Sequence, residues 1–210
     1  MKKWFKKLKN NVKILLEKDY SGHDYWHAIR VCNISEKIGK KEKADLDILL
    51  AASLLHDIYA GKNYITHVER AVKFANKVLR KVKFPKNKIE RVISCIRNHE
   101  KYEWGKTSKI SKEAKILQDA DRLDALGAIG IARTFIFSGY NKIPLWIVGQ
   151  EPKKHYDYKK ISSSINHFYE KLLKLKENMN TKTAKNIARE RHKFMEIYLE
   201  RFFKEWEGEL

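Results

Sequence analysis

The sequence predicts an all-α fold in a single domain, and three observations lead there. Apolar residues recur at three- and four-residue steps through most of the chain, while period-two alternation is nearly absent. Only three prolines and nine glycines interrupt 210 residues, and no Ser/Gly/Pro-rich stretch reads as a linker. A hydrophobic share of 43% suits one well-packed core, and no internal repeat points to a solenoid.

Helices are expected at 3–19, 23–40, 45–60, 64–82, 86–101, 111–137, 161–178 and 182–206. A core spanning roughly 20–137 would carry the C-terminal helices 161–206 on its surface. The first helix places Trp4, Leu8, Val12, Leu15 and Leu16 on one stripe, among seven lysines through residue 18. That stripe reads as a face docked on the core rather than as a membrane-surface helix. Ser21-Gly22 separates it from the second helix, Gly39 falls near the end of the second, and Pro85 divides the fourth from the fifth. Gly127 and Gly130 lie inside the expected helix 111–137, where they suggest close packing on a neighbouring helix. Thr181 and Thr183 offer capping oxygens to the last helix. Its stripe of Ile187, Arg191, Phe194, Met195, Tyr198, Phe202 and Trp206 is expected to be core.

One segment, Ser138 to Lys160, lacks helical periodicity and holds Gly139, Pro144, Gly149, Pro152, Trp146, Tyr156 and Tyr158. Irregular segments this long in compact domains are uncommon and often functional, so it is expected to form a lid or substrate wall.

Lys+Arg of 45 against Asp+Glu of 26 gives a net charge of +19. The excess is mostly lysine scattered along the chain, which reads first as solvated helix faces and, as the alternative, as a field that assists capture of a phosphate substrate. Nucleic acid is an allowed partner but not the favoured one, because no basic stripe interleaved with aromatics is visible. Cys32 and Cys95 stand far apart without a paired spacing, as small buried thiols in a reducing cytoplasm would. No run approaches about 18 apolar residues, so no membrane span is expected, and nothing in the pattern fixes an oligomeric state.

The chemistry concentrates in four dispersed residues: His27, the adjacent pair His56-Asp57, and Asp121. His56-Asp57 closes the apolar run Ala51-Ala52-Ser53-Leu54-Leu55, and Asp121 sits in a helix rich in Leu, Ile and Ala. Charged carboxylates in such surroundings cost several kcal/mol unless a cation or donors compensate them. Neighbours on a helix point about 100° apart, so His56 and Asp57 share an ion only near the end of their helix. Two imidazoles and two carboxylates suit a divalent first-row metal, and metal-assisted hydrolysis of a phosphate ester or anhydride follows from that donor set.

The spaced pattern His27, His56-Asp57 and Asp121 resembles the HD-domain metal-dependent phosphohydrolase superfamily. The resemblance covers nearly the whole chain. It extends through GHDYWHAIRV (22–31), AASLLHDI (51–58), RNHE (97–100), LQDADRLDALGAIGIARTF (117–135) and HFYEKLLKLKENM (167–179), which are similar to one compact prokaryotic branch. It implies a helical HD-domain fold with one divalent ion held by His27, His56, Asp57 and Asp121. Mn is the favoured metal, with Co, Ni, Fe, Zn and Mg as the other choices. It further implies a nucleotide or small phosphate ester as substrate, with cleavage of (deoxy)nucleoside triphosphates to the monophosphate and pyrophosphate.

The chain departs from many relatives just after the HD pair, where Ile58 to Asn63 contains no carboxylate. Asp57 or Asp124 is therefore the expected catalytic base, unless water on the ion needs none. Some superfamily members hold two metals through extra histidines in the interval that here contains His67 and His99. Only His99 matches a recurring position, and one ion is expected. Phosphate contacts are expected from Arg30, His99 and Lys62, with His23 and Lys171 behind them. Two other readings stand beside this one: a phosphodiesterase acting on cyclic nucleotides or oligonucleotides, and a non-catalytic nucleic-acid-binding helical protein.

Overall fold

The computed structural model describes residues 2–61, 66–100, 109–154, 156–157 and 160–210, and among these it is all helix and loop, with no strand. The chain divides into two compact units, Met1–Asp121 and Arg122–Leu210.

The first unit is built around a central helix. Helix α1 (Lys3–Leu16) buries Trp4, Leu8, Val12 and Leu16, one side chain per turn, and leaves its lysines in water. Trp4 packs edge-on against Phe84 at 4.7 Å, so the N-terminal stripe docks on the core as its spacing predicts. Helix α2 (Tyr25–Lys41) is capped by Asp24, whose carboxylate accepts from the His27 amide at 2.8 Å. Helix α3 (Leu46–Leu55) is apolar all round and is buried along most of its length, as such a helix must be. Its few polar groups are matched: the Ser53 hydroxyl donates to Ser35 on α2 at 2.8 Å. Helices α4 (His67–Lys81) and α5 (Ile89–Asn98) are amphipathic, and α5 packs on α3. Burial pushes the thiols of Cys32 and Cys95 up to about 12, which makes them inert core residues.

Helix α3 is shorter than the expected 45–60. It stops at Leu55, so His56 is the cap and Asp57 lies in the following turn, closed by the Ala60 amide on the Asp57 carbonyl at 3.0 Å. The expected helix 111–137 is likewise two helices, α6 (Lys112–Asp124) and α7 (Gly127–Tyr140). Gly127 takes φ +72, a conformation side chains disfavour, and a Cβ on Gly130 would collide with the backbone of Ala125. Glycine at these two positions permits the corner that the apolar pattern conceals. A Cβ on Gly127 would lie 3.1 Å from Arg191, so that glycine does meet a neighbouring helix, whereas Gly130 meets its own chain.

The second unit continues with α7, α8 (Ser164–Glu170), a 3-10 segment (Leu172–Asn178) and α9 (Lys182–Trp206). The expected helix 161–178 breaks at Lys171, where φ −130 and ψ −59 leave the helical region. Phe135, Phe168 and Tyr198 form its aromatic centre, with Phe168 and Tyr198 stacked at 6.0 Å. Thr181 caps α9 through the Ala184 amide. The last-helix stripe is only partly core. Met195 is buried, but Phe194 is 50% and Trp206 44% exposed, because α9 turns a different arc inward: Ala184, Ala188, His192, Met195 and Leu199. The irregular stretch after α7 is fastened to this unit. Pro144 and Leu145 carbonyls accept from the Ser164 and Ile165 amides at 2.9 and 3.1 Å, and Trp146 meets Phe203 and Trp206 edge-on.

His167 gives this unit a pH-dependent stability. Burial, and then the charge of Lys171, push its pKa down to about 3, and its buried Nδ1 has no hydrogen-bond partner among the described residues. An unfolded histidine titrates near about 6.5, so below that pH the unfolded chain takes up a proton that the folded chain refuses. The stability contributed by neutral His167 is thus present above about 6.5 and lost as pH falls toward 3, amounting to about 2 kcal/mol at pH 5. Thermal melts between pH 7 and 5 should show a falling midpoint in the wild type and a flatter profile in His167→Phe; equal slopes would reject the assignment.

Candidate metal centre

Helix ends build this site. His27 sits in the first turn of α2, which the Asp24 cap holds in place. His56 and Asp57 follow the last turn of α3, and Asp121 lies one turn before the end of α6. His67 opens α4, while His99 caps α5 and Glu100 follows it. The Gln118 side chain donates to the Asn98 carbonyl at 2.7 Å, which ties α6 to the end of α5 that carries His99.

The same device orients two of the imidazoles. His56 Nδ1 lies 2.9 Å from the Ser53 carbonyl, and His99 Nδ1 lies 2.6 Å from the Ile96 carbonyl, each three residues back. Carbonyls at a helix C-terminus lack partners within the helix and can only accept, so Nδ1 carries the proton in both rings. In the neutral ring Nε2 then turns its lone pair toward the centre, which is how metal-binding histidines are commonly held.

Two groups of donors result, and Asp57 belongs to both. In the first, His27, His56, Asp57 and Asp121 bring one ligand atom each to within 4.8 Å of one another. His27 Nε2 stands 3.2 Å from His56 Nε2, 3.5 Å from Asp57 Oδ2 and 3.6 Å from Asp121 Oδ1. His56 Nε2 stands 3.6 Å from Asp57 Oδ2 and 3.7 Å from Asp121 Oδ1. Donors about 2.1 Å from a common ion lie about 3.4 Å apart in a tetrahedron and about 3.0 Å apart in an octahedron, so these spacings fit a first-row divalent ion. Two carboxylates and two neutral imidazoles also supply a charge of −2, which such an ion balances.

The second group is Asp57, His67, His99 and Glu100. Asp57 Oδ1 faces His99 Nε2 at 2.9 Å and His67 Nε2 at 3.4 Å, and His67 Nε2 is 3.4 Å from Glu100 Oε2. Each oxygen of Asp57 therefore addresses a different group. The sequence expects one ion and leaves His67 and Glu100 unassigned. The available signal is that His67 starts the buried face of α4, ahead of Ala71 and Ala75, where a histidine needs a partner.

Electrostatics agree with the geometry. Burial raises the Asp57 carboxyl, but the charge of His56 and hydrogen bonds from His27, His67 and His99 outweigh it and hold the group well below the ordinary carboxylate range. Asp121 is raised by burial and lowered further by its hydrogen bond and charge interaction with His56, again ending well below that range. Burial disfavours protonated His99, yet Asp57 overcomes this and brings its pKa up to about 9. These groups are poised to exchange protons for a cation.

The remaining expected site residues are placed as follows. His23 lies in the turn before α2, its ring 5.7 Å from that of His27 and its Nδ1 3.4 Å from the buried Ser21 hydroxyl. Arg30 is half-buried one turn beyond His27. His99 is 2% exposed and faces Asp57, which sets it among the candidate ligands rather than at an open phosphate surface. Asp124 and Lys171 belong to the second unit, where Asp124 is ion-paired with Arg133 at 3.2 Å and the Lys171 ammonium lies 4.9 Å above the Tyr156 ring. Lys62 and Tyr158 lie outside the described residues.

Comparison with known proteins places the centre in a family. A family model of the HD domain matches residues 25–126, the span that contains all seven donors. The chain is 40% identical to the Bacillus subtilis protein YpgQ over 199 residues, covering 94% of this chain and 91% of that protein. A solved structure of YpgQ in complex with ADP superposes with a TM-score of 0.73 at 35% identity, covering 97% and 95% of the two chains. An HD-superfamily hydrolase from Bacillus thuringiensis superposes with a TM-score of 0.72 at 37% identity over 97% and 96% of the chains. A Lactobacillus plantarum structure does so with a TM-score of 0.84 at 31% identity over 99% of both. Among the described residues no helix is long and apolar enough to cross a membrane. The helical fold, the gathered His and Asp side chains and these full-length likenesses together make this chain a member of the HD-domain superfamily of hydrolases.

Proposed function

We propose that the protein is a metal-dependent phosphohydrolase that cleaves nucleotides, taking (deoxy)nucleoside triphosphates to the monophosphate and pyrophosphate. The observation that carries this reading is the convergence of four ligand atoms from α2, the end of α3 and α6 on one point. The ADP held by YpgQ, a relative at 40% identity, supports a nucleotide as the substrate class.

His27 and His56 would hold the ion through Nε2, and Asp57 and Asp121 would each hold it through an oxygen. A bound divalent ion supplies Lewis acidity toward a phosphoryl oxygen and lowers the pKa of water. The chain's own residues do the rest. His23 and Arg30, beside His27, neutralise charge that accumulates on the phosphate. Lys62 is a further phosphate contact in this reading. Both oxygens of Asp57 face imidazoles, so Asp57 orients the centre. Manganese is the preferred metal in this reading, and the cytoplasm the compartment.

A metal-stripped sample reloaded with Mn, Co, Ni, Zn or Mg should release pyrophosphate from deoxynucleoside and ribonucleoside triphosphates. Cyclic dinucleotides and short RNA assayed in parallel should remain intact. Cleavage of the diesters without pyrophosphate release would favour the phosphodiesterase reading, and binding of RNA without any cleavage would favour a nucleic-acid-binding role.

The second group extends the proposal to a second, weaker ion that shares Asp57. Elemental analysis at saturating Mn should give two equivalents per chain in the wild type and one in His67→Ala, with the tight site retained. One equivalent in both would show that His67 and Glu100 serve only to orient Asp57.

A further inference from the structure

The turn that joins α1 to α2 links three polar side chains in a row. Asp19 Oδ1 accepts from the Ser21 amide at 2.8 Å and from the Ser21 hydroxyl at 2.6 Å. The same hydroxyl oxygen lies 3.4 Å from His23 Nδ1 and 3.4 Å from the His23 amide. Between them Gly22 takes φ +89, which lets the backbone double back. Gly61, in the turn after His56-Asp57, covers the pair from another side: a Cβ there would collide with the Asp19 carboxylate and the Ser21 hydroxyl. Ser21 is accordingly only 2% exposed.

The direction of each hydrogen bond follows from counting donors. A carboxylate only accepts, so the single hydroxyl proton of Ser21 goes to Asp19. The Ser21 oxygen can then only accept, and the His23 Nδ1 beside it must carry a hydrogen. Nε2 is therefore the nitrogen that addresses groups beyond this turn. A serine that donated to Nδ1 would exclude the imidazolium, in which both nitrogens donate; the observed order accommodates it. The ring meets that of His27 edge to face at 5.7 Å, yet unlike the buried His27 it keeps part of its surface in water. It thus stands beside the candidate cation site and within reach of a ligand.

We propose that Asp19 and Ser21 are positioning residues that act through His23, holding its ring and presenting Nε2 to the phosphate of the substrate. The substrate part of this inference rests on the nucleotide-cleavage reading above; the control of the ring does not. A ring fixed in advance need not be ordered when the substrate arrives, and its dipole is already aimed.

Nitrogen-15 NMR of the full chain, labelled at histidine and loaded with diamagnetic Zn, reads the ring directly at about pH 8.5, where histidine is normally neutral. His23→Gln assigns the signals. The wild type should carry its hydrogen on Nδ1 of His23. Ser21→Ala and Asp19→Ala should each lose that preference, the first by removing the acceptor and the second by freeing the hydroxyl proton to turn toward Nδ1. Pyrophosphate release by the Mn-loaded chain then tests the consequence in a double-mutant cycle. Each variant should lower kcat at least about tenfold when His23 is present, and by less than about twofold in the His23→Gln background. Metal content and circular dichroism should stay at wild-type values. A turn that serves only the fold would cost the same in both backgrounds. That outcome, or a His23 tautomer identical in all three chains, would overturn the proposal. A wild type that releases no pyrophosphate with any metal would instead reject the nucleotide-cleavage reading, and the NMR result alone would then decide whether Asp19 and Ser21 set the ring.

Discussion

Replacing Asp121 by alanine is expected to abolish tight metal binding and to lower turnover by at least about a thousandfold, while leaving the helical fold intact. Asp121 Oδ1 stands 3.6 Å from His27 Nε2 and 3.7 Å from His56 Nε2, so its loss removes one of four donors and one of the two charges that balance the ion. An incomplete donor set with half the negative charge cannot hold a divalent ion against water and chelating buffers. The helix itself should tolerate the change, because alanine is the residue that favours helix most strongly. Elemental analysis, circular dichroism and pyrophosphate release on the same preparation separate these effects. A chelator should lower the melting temperature of the wild type and leave that of Asp121→Ala unchanged, since the variant has no tight ion to lose. A folded variant that keeps its metal and its turnover would reject the site.

The second large effect concerns the corner between α6 and α7. Gly130→Val should destabilise the protein by about 3 kcal/mol and is expected to reduce soluble yield sharply. The missing Cβ of Gly130 occupies the position of the Ala125 backbone carbonyl, and backbone at a helix boundary has no rotamer through which to move away. Gly139→Ala is the matched control in the same helix. Its Cβ would meet nothing within 4 Å, so the exchange should stabilise by about 0.5–1 kcal/mol through helix propensity and reduced freedom of the unfolded chain. Urea titrations of the two variants should therefore shift the midpoint in opposite directions. Shifts of the same sign would mean that the corner is not fixed by the approach of Gly130 to Ala125.

Three of the candidate ligands, His56, Asp57 and Asp121, were legible in the sequence because they break an apolar context. Asp121 among Leu117, Ala120 and Leu123, and His56-Asp57 after Leu54-Leu55, are expensive unless something binds there. His67 carries a weaker mark, its step to Ala71 and Ala75 on one face of α4. It is followed by Glu69 and Arg70, so the local pattern reads as the polar start of an amphipathic helix, and only the fold reveals that its ring is buried beside Asp57. Glu100 ends the RNHE segment that carries the resemblance, yet nothing in the spacing assigns it to a ligand group. The corner at Gly127 was masked because apolar residues continue in phase from Leu123 through Ile131. On α9, helical period correctly identifies a stripe but not which arc faces inward; small residues at Ala184 and Ala188 decide that.

The spread of the first donor group over the ends of three helices has a consequence for how the protein is made. No fragment of the chain shorter than the stretch from His27 to Asp121 contains the first group, and the ion that joins them closes a loop of roughly ninety residues. A nascent chain still missing α6 lacks Asp121 and cannot complete the first group. Once α6 docks, the ion becomes a clasp between the beginning and the end of the first unit. Metal uptake should accordingly be among the last events of folding, and its rate a direct gauge of when that unit is complete.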